Sequence, residues 1–244
     1  MSLLKNLATS QDIQGEEDKL GGGGFTVDSG LYGLSIKLAY LSESEGGAAA
    51  LNFTFETEEG KEIRQQFWLT SGREKGQKNF YLTKTGDKKY LPGFLSANSV
   101  CLLTVGKEVS EVVATAETKV VKLYDYETKS ERNTEVPMVV ELLGQRIIGG
   151  VQKQKVDKKV RGEDNVYRPT GETRFQNEVD KFFRYEDGLT VKEIESGVTE
   201  AKFKDDWSNK WTGKEVDKST GAGAGTTSGA PSAANKPRTS LFGK

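Results

Sequence analysis

The sequence predicts a mainly β fold: an OB-fold-like five-stranded barrel with an added helical C-terminal segment and disordered tails. Three observations carry that expectation. From Leu34 to Leu69, apolar residues recur at every second position in three runs separated by turns. After Pro92-Gly93 the spacing changes once to that of a helix. Strand character then returns at Val120–Tyr126, Val136–Leu143 and Arg146–Val156. A strand meander with one intervening helix suits a small closed barrel, and the oligonucleotide-binding barrel is the leading case. An SH3-like barrel or a sandwich gives the same signals.

Taken in order, residues 1–24 are polar and end in Gly21–Gly24, which reads as a flexible N-terminal arm. The core is expected over 25–168. In its first strand Leu34, Ile36, Leu38 and Tyr40 fall on one side, with Ser35 and Lys37 on the other. Leu51, Phe53 and Phe55 alternate with Asn52, Thr54 and Glu56 in the second. Ile63, Gln65, Phe67 and Leu69 alternate with Arg64, Gln66, Trp68 and Thr70 in the third. Ser71–Gln77 is a polar loop. Thr85-Gly86-Asp87 is a hairpin turn between Phe80-Tyr81-Leu82 and Lys89-Tyr90-Leu91. Phe94, Ala97, Cys101 and Val105 mark the helix, with Gly106 as its C-cap.

Residues 169–213 are expected to be a helical extension, with helical character over 175–212. Thr190 and Glu193 form a capping box there, and Phe203, Trp207 and Trp211 lie at i, i+4 and i+8. Docking of that stripe on the barrel is the ordinary reading; a stacking surface or a subunit contact is the functional one. Residues 214–244 form a Gly/Ala/Ser-rich tail that cannot bury enough apolar surface to order itself. Its end, with Arg238, Ser240, Leu241, Phe242 and Lys244, reads as a tethered recognition peptide or an inert fraying end.

Composition narrows the function. The 244 residues include no histidine, which removes the commonest metal ligand and general base, and with it any Ser-His-Asp or Cys-His site. The single cysteine, Cys101, lies in an apolar stretch and reads as a buried thiol in a reducing compartment. No segment resembles a signal peptide or a membrane span, so a cytoplasmic location is expected. No cofactor and no metal is expected. The net charge of −1 hides a split, because residues 61–90 carry eight Lys/Arg against three acids. Local potential, rather than net charge, attracts a polyanion.

Within 64–90, aromatic rings are interleaved with cations. A single nucleic-acid strand offers a phosphate charge and a base face, and these residue types grip the two. The bland alternative is a sheet with aromatics in its core and lysines on a solvated surface. Gly106-Lys107 and Gly213-Lys214 are not phosphate loops, since neither has the earlier Gly or the following Ser/Thr. Asp205-Asp206 and Glu16-Glu17-Asp18 read as solvated acids rather than metal ligands.

The stretch Phe67–Gly106 resembles the central part of a family of phage-encoded single-stranded DNA-binding proteins. The resemblance continues through Glu141-Leu-Leu-Gly-Gln-Arg-Ile, Val156-Asp-Lys-Lys, Pro169-Thr-Gly-Glu-Thr-Arg and Asn177-Glu-Val-Asp-Lys-Phe-Phe-Arg. It ends at Asp187-Gly-Leu-Thr-Val-Lys-Glu-Ile and Glu200-Ala-Lys-Phe-Lys-Asp-Asp-Trp. It implies an oligonucleotide-binding barrel that coats single strands in the host cytoplasm during replication, recombination and late transcription. It also implies partners, replication proteins or host RNA polymerase, reached through the C-terminal end, here Ser240–Lys244. One departure stands out. Bacterial relatives have acidic tails, whereas from Lys214 this chain carries five Lys/Arg against two acids.

The resulting expectation is a non-catalytic protein that binds single-stranded DNA with little base readout. Trp68 and Tyr81 are the stacking platforms, with Phe80 beside them. Arg73, Lys75 and Lys78 clamp phosphates from a loop, Arg64 shares the face of Trp68, and Lys88 assists from the hairpin. Lys153 and Lys155 extend the groove. Homo-oligomer contacts would come from the N-terminal arm or the Phe203/Trp207/Trp211 helix. The rival readings are a virion component or polymerase adaptor that does not bind DNA, and a Mg²⁺-dependent nuclease, for which the barrel segments offer few candidate carboxylates, such as Asp87, Glu108 and Asp125.

Overall fold

The computed structural model describes residues 26–125, 128, 130–162 and 166–220. The chain is mainly β and its sheet mostly antiparallel. Strands β1 (Gly30–Glu43), β2 (Ala49–Thr57) and β3 (Glu62–Trp68) form the meander read from the sequence. A small separate hairpin follows, β4 (Phe80–Leu82) with β5 (Lys88–Tyr90), turning at Gly86 with φ +87°. Helix α1 (Pro92–Val105) starts on proline and ends at Gly106, whose φ of +70° is the left-handed cap glycine adopts at least cost. Helix α2 (Val109–Val113) leads to a hairpin of β6 (Glu117–Asp125) and β7 (Ser130–Met138). Strand character ends at Met138, and Val140–Leu142 is a 3-10 turn rather than the continued strand expected.

β8 (Arg146–Arg161) then pairs with β1 on one edge and with β9 (Tyr167–Arg184) on the other. Helices α3 (Val191–Glu195) and α4 (Lys202–Trp211) follow, and β10 (Glu215–Asp217) pairs in parallel with β8. The capping box between Thr190 and Glu193 is present.

The core lies between α1 and the inner face of β1, β2, β3, β8 and β9. Phe53 stacks on Phe55 with ring centres 5.1 Å apart, and Phe67 and Phe182 each complete an edge-on or tilted contact within 5.9 Å. Ala97, Val100 and Cys101 of α1 are fully buried against this cluster. Burial of the Cys101 thiol pushes its pKa up to about 12.

Two β-bulges explain where the sequence pattern misleads. In β1 the register shifts at Lys37, so Ile36 and Ala39 both face the core. Leu38 and Tyr40, expected on the side of Ile36, sit instead on the outer face opposite Thr54 and Asn52. In β9 the extra residue is Asp180, between Val179 opposite Val151 and Lys181 opposite Gly150. Val179 and Phe182 are therefore both buried although three apart, a spacing that imitates a helix. This corrects the helical reading of 175–212: residues through Arg184 are strand, β9 runs through the expected boundary at 168–169, and only α3 and α4 are helical.

The expected barrel is not closed. β3 and β9 lie at the two ends of the strand path and share no ladder. The Gln65 side chain spans this seam, its Oε1 accepting the Val179 N–H at 3.2 Å. Strands also number ten among the described residues rather than five. The start of the expected tail is ordered: beyond β10, Lys218 N–H donates to the Lys155 carbonyl at 2.9 Å and Thr220 N–H to Asp157 at 3.0 Å. The arm at 1–24, most of the tail and its terminal peptide lie outside the described residues.

Candidate nucleic-acid interface

The site is built where β3 ends. Alternation along β3 puts Phe67 inside and Trp68 outside, where it is 39% exposed opposite Ala50. Behind it α1 approaches so closely that a Cβ on Gly93 would come within 2.6 Å of the Trp68 main-chain N and O. Trp68 is thus seated on a helix N-terminus that only glycine lets this near.

The chain then makes a polar loop that docks on the β1–β2 turn. Arg73 N–H donates to the Gly46 carbonyl at 2.8 Å and Gln77 Nε2 to the Gly47 carbonyl at 2.9 Å. Ala49 N–H donates to Thr70 Oγ1 at 2.9 Å, and the Arg73 guanidinium pairs with Glu43. The loop closes at Gly76 and Gln77, both with positive φ, +77° and +49°. The loop backbone and the Arg73 guanidinium are therefore held in place.

Between this loop, the β1–β2 turn and the β4–β5 hairpin lies an open cleft of about 950 Å³. Trp68, Arg73, Lys75, Lys78, Phe80 and Tyr81 all line it. Six residues expected in the site therefore meet in one place. Tyr81 is 45% exposed and Phe80 is half-buried. The ammonium groups of Lys78 and Lys88 lie 5.7 and 5.0 Å from the centre of the Phe80 ring. Lys88 therefore joins the cleft's edge through Phe80.

The other three expected residues lie elsewhere. Arg64 shares the outer face of β3 with Trp68, four residues earlier and so about 13 Å away. It contacts Glu62 at 3.4 Å and lines a second groove, along the seam, with Phe175. Lys153 and Lys155 do not line the cleft. Lys153 pairs with Glu215 at 3.0 Å and Asp28 at 3.1 Å, and Lys155 with Asp217 at 3.6 Å. The hydrogen bonds it donates to Glu215 and Asp28 hold the Lys153 ammonium above its ordinary pKa. Arg238, Ser240, Leu241, Phe242 and Lys244 lie outside the described residues.

Sequence reasoning missed a polar ladder on the same outer face. Gln66 Nε2 donates to Asn52 Oδ1 at 2.9 Å, and Asn52 Nδ2 donates to Ser42 Oγ at 2.8 Å. Its signal was available, because Gln66 has the same parity as Arg64 and Trp68. At the far end of this face Lys37 pairs with Glu56 and Glu62, and the Lys37 bond holds the Glu62 carboxyl below the usual range.

Chemically the cleft offers flat rings beside cations, with Glu45 and Glu74 also in its lining. No group of three or more His, Cys, Asp or Glu is placed to hold a metal among the described residues. Nor, among those residues, is any helix long and apolar enough to cross a membrane. The chain matches no protein-family model and no curated protein.

Proposed function

We propose that this chain is a non-catalytic single-stranded DNA-binding protein that coats its ligand with low sequence specificity. One observation carries the reading: Trp68, Phe80 and Tyr81 share an open cleft with Arg73, Lys75 and Lys78. Bases stack on any exposed ring, at about 1–3 kcal/mol each, and phosphates seek the adjoining cations. The strand path β3-β2-β1-β8-β9, with α1 between β3 and β8 in the chain, supports a barrel of the oligonucleotide-binding type left open at one seam. The polymerase or replication contact implied by the resemblance belongs to the tail and is a proposal of the same standing.

Titration with oligo-dT tests the reading. Quenching of tryptophan fluorescence and an affinity that falls steeply with salt are expected. An adaptor that never touches DNA would show neither at low salt, and that result would end the proposal. Incubating labelled single strand with Mg²⁺ leaves it intact if the protein is not a nuclease.

A further inference from the structure

The cation-flanked phenylalanine of the cleft has a counterpart on the other side of the seam. Phe80 lies under Lys78 and Lys88. Phe175, in β9, lies under Lys153 with the ammonium 5.1 Å from the ring centre, and is opposite Lys155 in the β8–β9 ladder. Phe175 is 46% exposed, a large ring left at the surface of a strand.

The two places differ in one respect. Lys78 and Lys88 have no ion-paired carboxylate among the described residues, whereas Lys153 is paired with Glu215 of β10 and with Asp28, and Lys155 with Asp217 of β10. Glu215 and Asp217 are alternate residues of a strand, so they share a face, and they lie opposite alternate lysines in the register. A carboxylate seated on an ammonium occupies the position a phosphate oxygen would take. β10 is three residues long and joined to the edge of β8 in parallel. Short parallel pairing and exposed ion pairs hold weakly.

The first place leads to the second. Arg64 is on the face of Trp68, and with Phe175 it lines the groove of about 820 Å³ along the seam. We propose that Phe175, Lys153 and Lys155 form a second contact for single-stranded DNA, continuous with the cleft through Arg64. The carboxylates of Glu215 and Asp217, with Asp28 also on Lys153, cover it until the nucleic acid displaces β10 and takes the place of Asp28. This inference rests on the DNA-binding reading above.

The test compares the full chain with its Glu215→Gln/Asp217→Asn variant, using oligo-dT of about 8 nucleotides, sized for the cleft, and about 16, sized for both contacts. At about 50 mM salt the longer strand binds the variant at least about threefold more tightly. Its log affinity falls more steeply with log salt, by about 1.4 for two added phosphate contacts. The shorter strand binds both proteins within about twofold, and Phe175→Ala in the variant background removes the gain. In the unmutated chain, the Val216 amide exchanges faster when the longer strand is bound. Equal affinity and equal salt slope for the longer strand, with Val216 exchange unchanged, overturn the second contact while leaving the cleft reading intact. If neither protein binds either strand, the DNA-binding reading itself is lost.

Discussion

The indole of Trp207 rests on the bare backbone of Gly150: a Cβ at that glycine would stand 2.8 Å from the ring. The same indole donates its Nε1–H to Asp180 Oδ2 at 2.7 Å. Asp180 is the bulged residue of β9, so the bulge that lets Val179 and Phe182 both turn inward also presents the acceptor that fixes α4. Two glycines in sequence make room on β8, since Gly149 lies under Leu34 in the same way.

Gly150→Ala should therefore destabilise the fold by about 1–3 kcal/mol, because the added carbon meets a ring on one side and the sheet on the other. Trp207→Ala should cost about 3–5 kcal/mol. The two changes should not add, since without the ring the new methyl group has space. Urea unfolding of the two single variants and the double variant measures this. Strict additivity would mean that the ring does not sit where described.

Trp68→Ala should raise the dissociation constant for oligo-dT by a factor of about 5 to 150, equivalent to about 1–3 kcal/mol for one stacked base. Stability should stay within about 0.5 kcal/mol, because the ring is well exposed. Trp68→Phe should keep most of the affinity while losing most of the fluorescence quenching. Quenching that survives this change would move the signal to Trp207 or Trp211 and away from the cleft.

Gly93→Ala acts on the same ring from behind. The new Cβ would press on the Trp68 main chain, which cannot rotate out of the way as a side chain can. Stability should drop by about 1–3 kcal/mol. Affinity for oligo-dT, corrected for the folded fraction, should fall as well, although residue 93 does not line the cleft. Unchanged affinity would show that the seat of Trp68 is not transmitted to its ring.

Cys101 supplies a pH test. Its pKa rises from an ordinary 9.0 to about 12 because the buried thiolate is desolvated. Between those values the unfolded chain loses the thiol proton while the folded one keeps it. Stability is therefore whole below about pH 9 and falls as pH climbs toward 12. Relative to Cys101→Val, the unmutated chain should lose stability over that range and match it below. Thiol reagents at pH 8 should label it only after unfolding. Rapid labelling of the folded chain would contradict the burial.

The meander, the hairpin at Gly86 and α1 were legible because each is written in local periodicity and turn chemistry. So were the six residues that meet in the cleft, which come from a single stretch between Trp68 and Tyr81. What escaped depends on residues distant in the chain. No local signal says that Glu215 will sit on Lys153, or that Asp28 will join it. The bulges at Lys37 and Asp180 each insert one residue into an otherwise regular alternation. At Asp180 the resulting three-residue spacing of Val179 and Phe182 resembles a helix, so local periodicity does not reveal Phe175 as an exposed ring on a strand.

The Gln65 bridge leaves the open sheet with a weak point. Everywhere else along the β1–β2–β3 and β1–β8–β9 path, separating two strands means breaking a run of main-chain bonds. Between β3 and β9 the described links are one amide side chain and the Phe67–Phe182 ring contact, with no main-chain ladder. Thermal breathing will begin there, and hydrogen exchange at Val179 will report it before any of its ladder-bound neighbours.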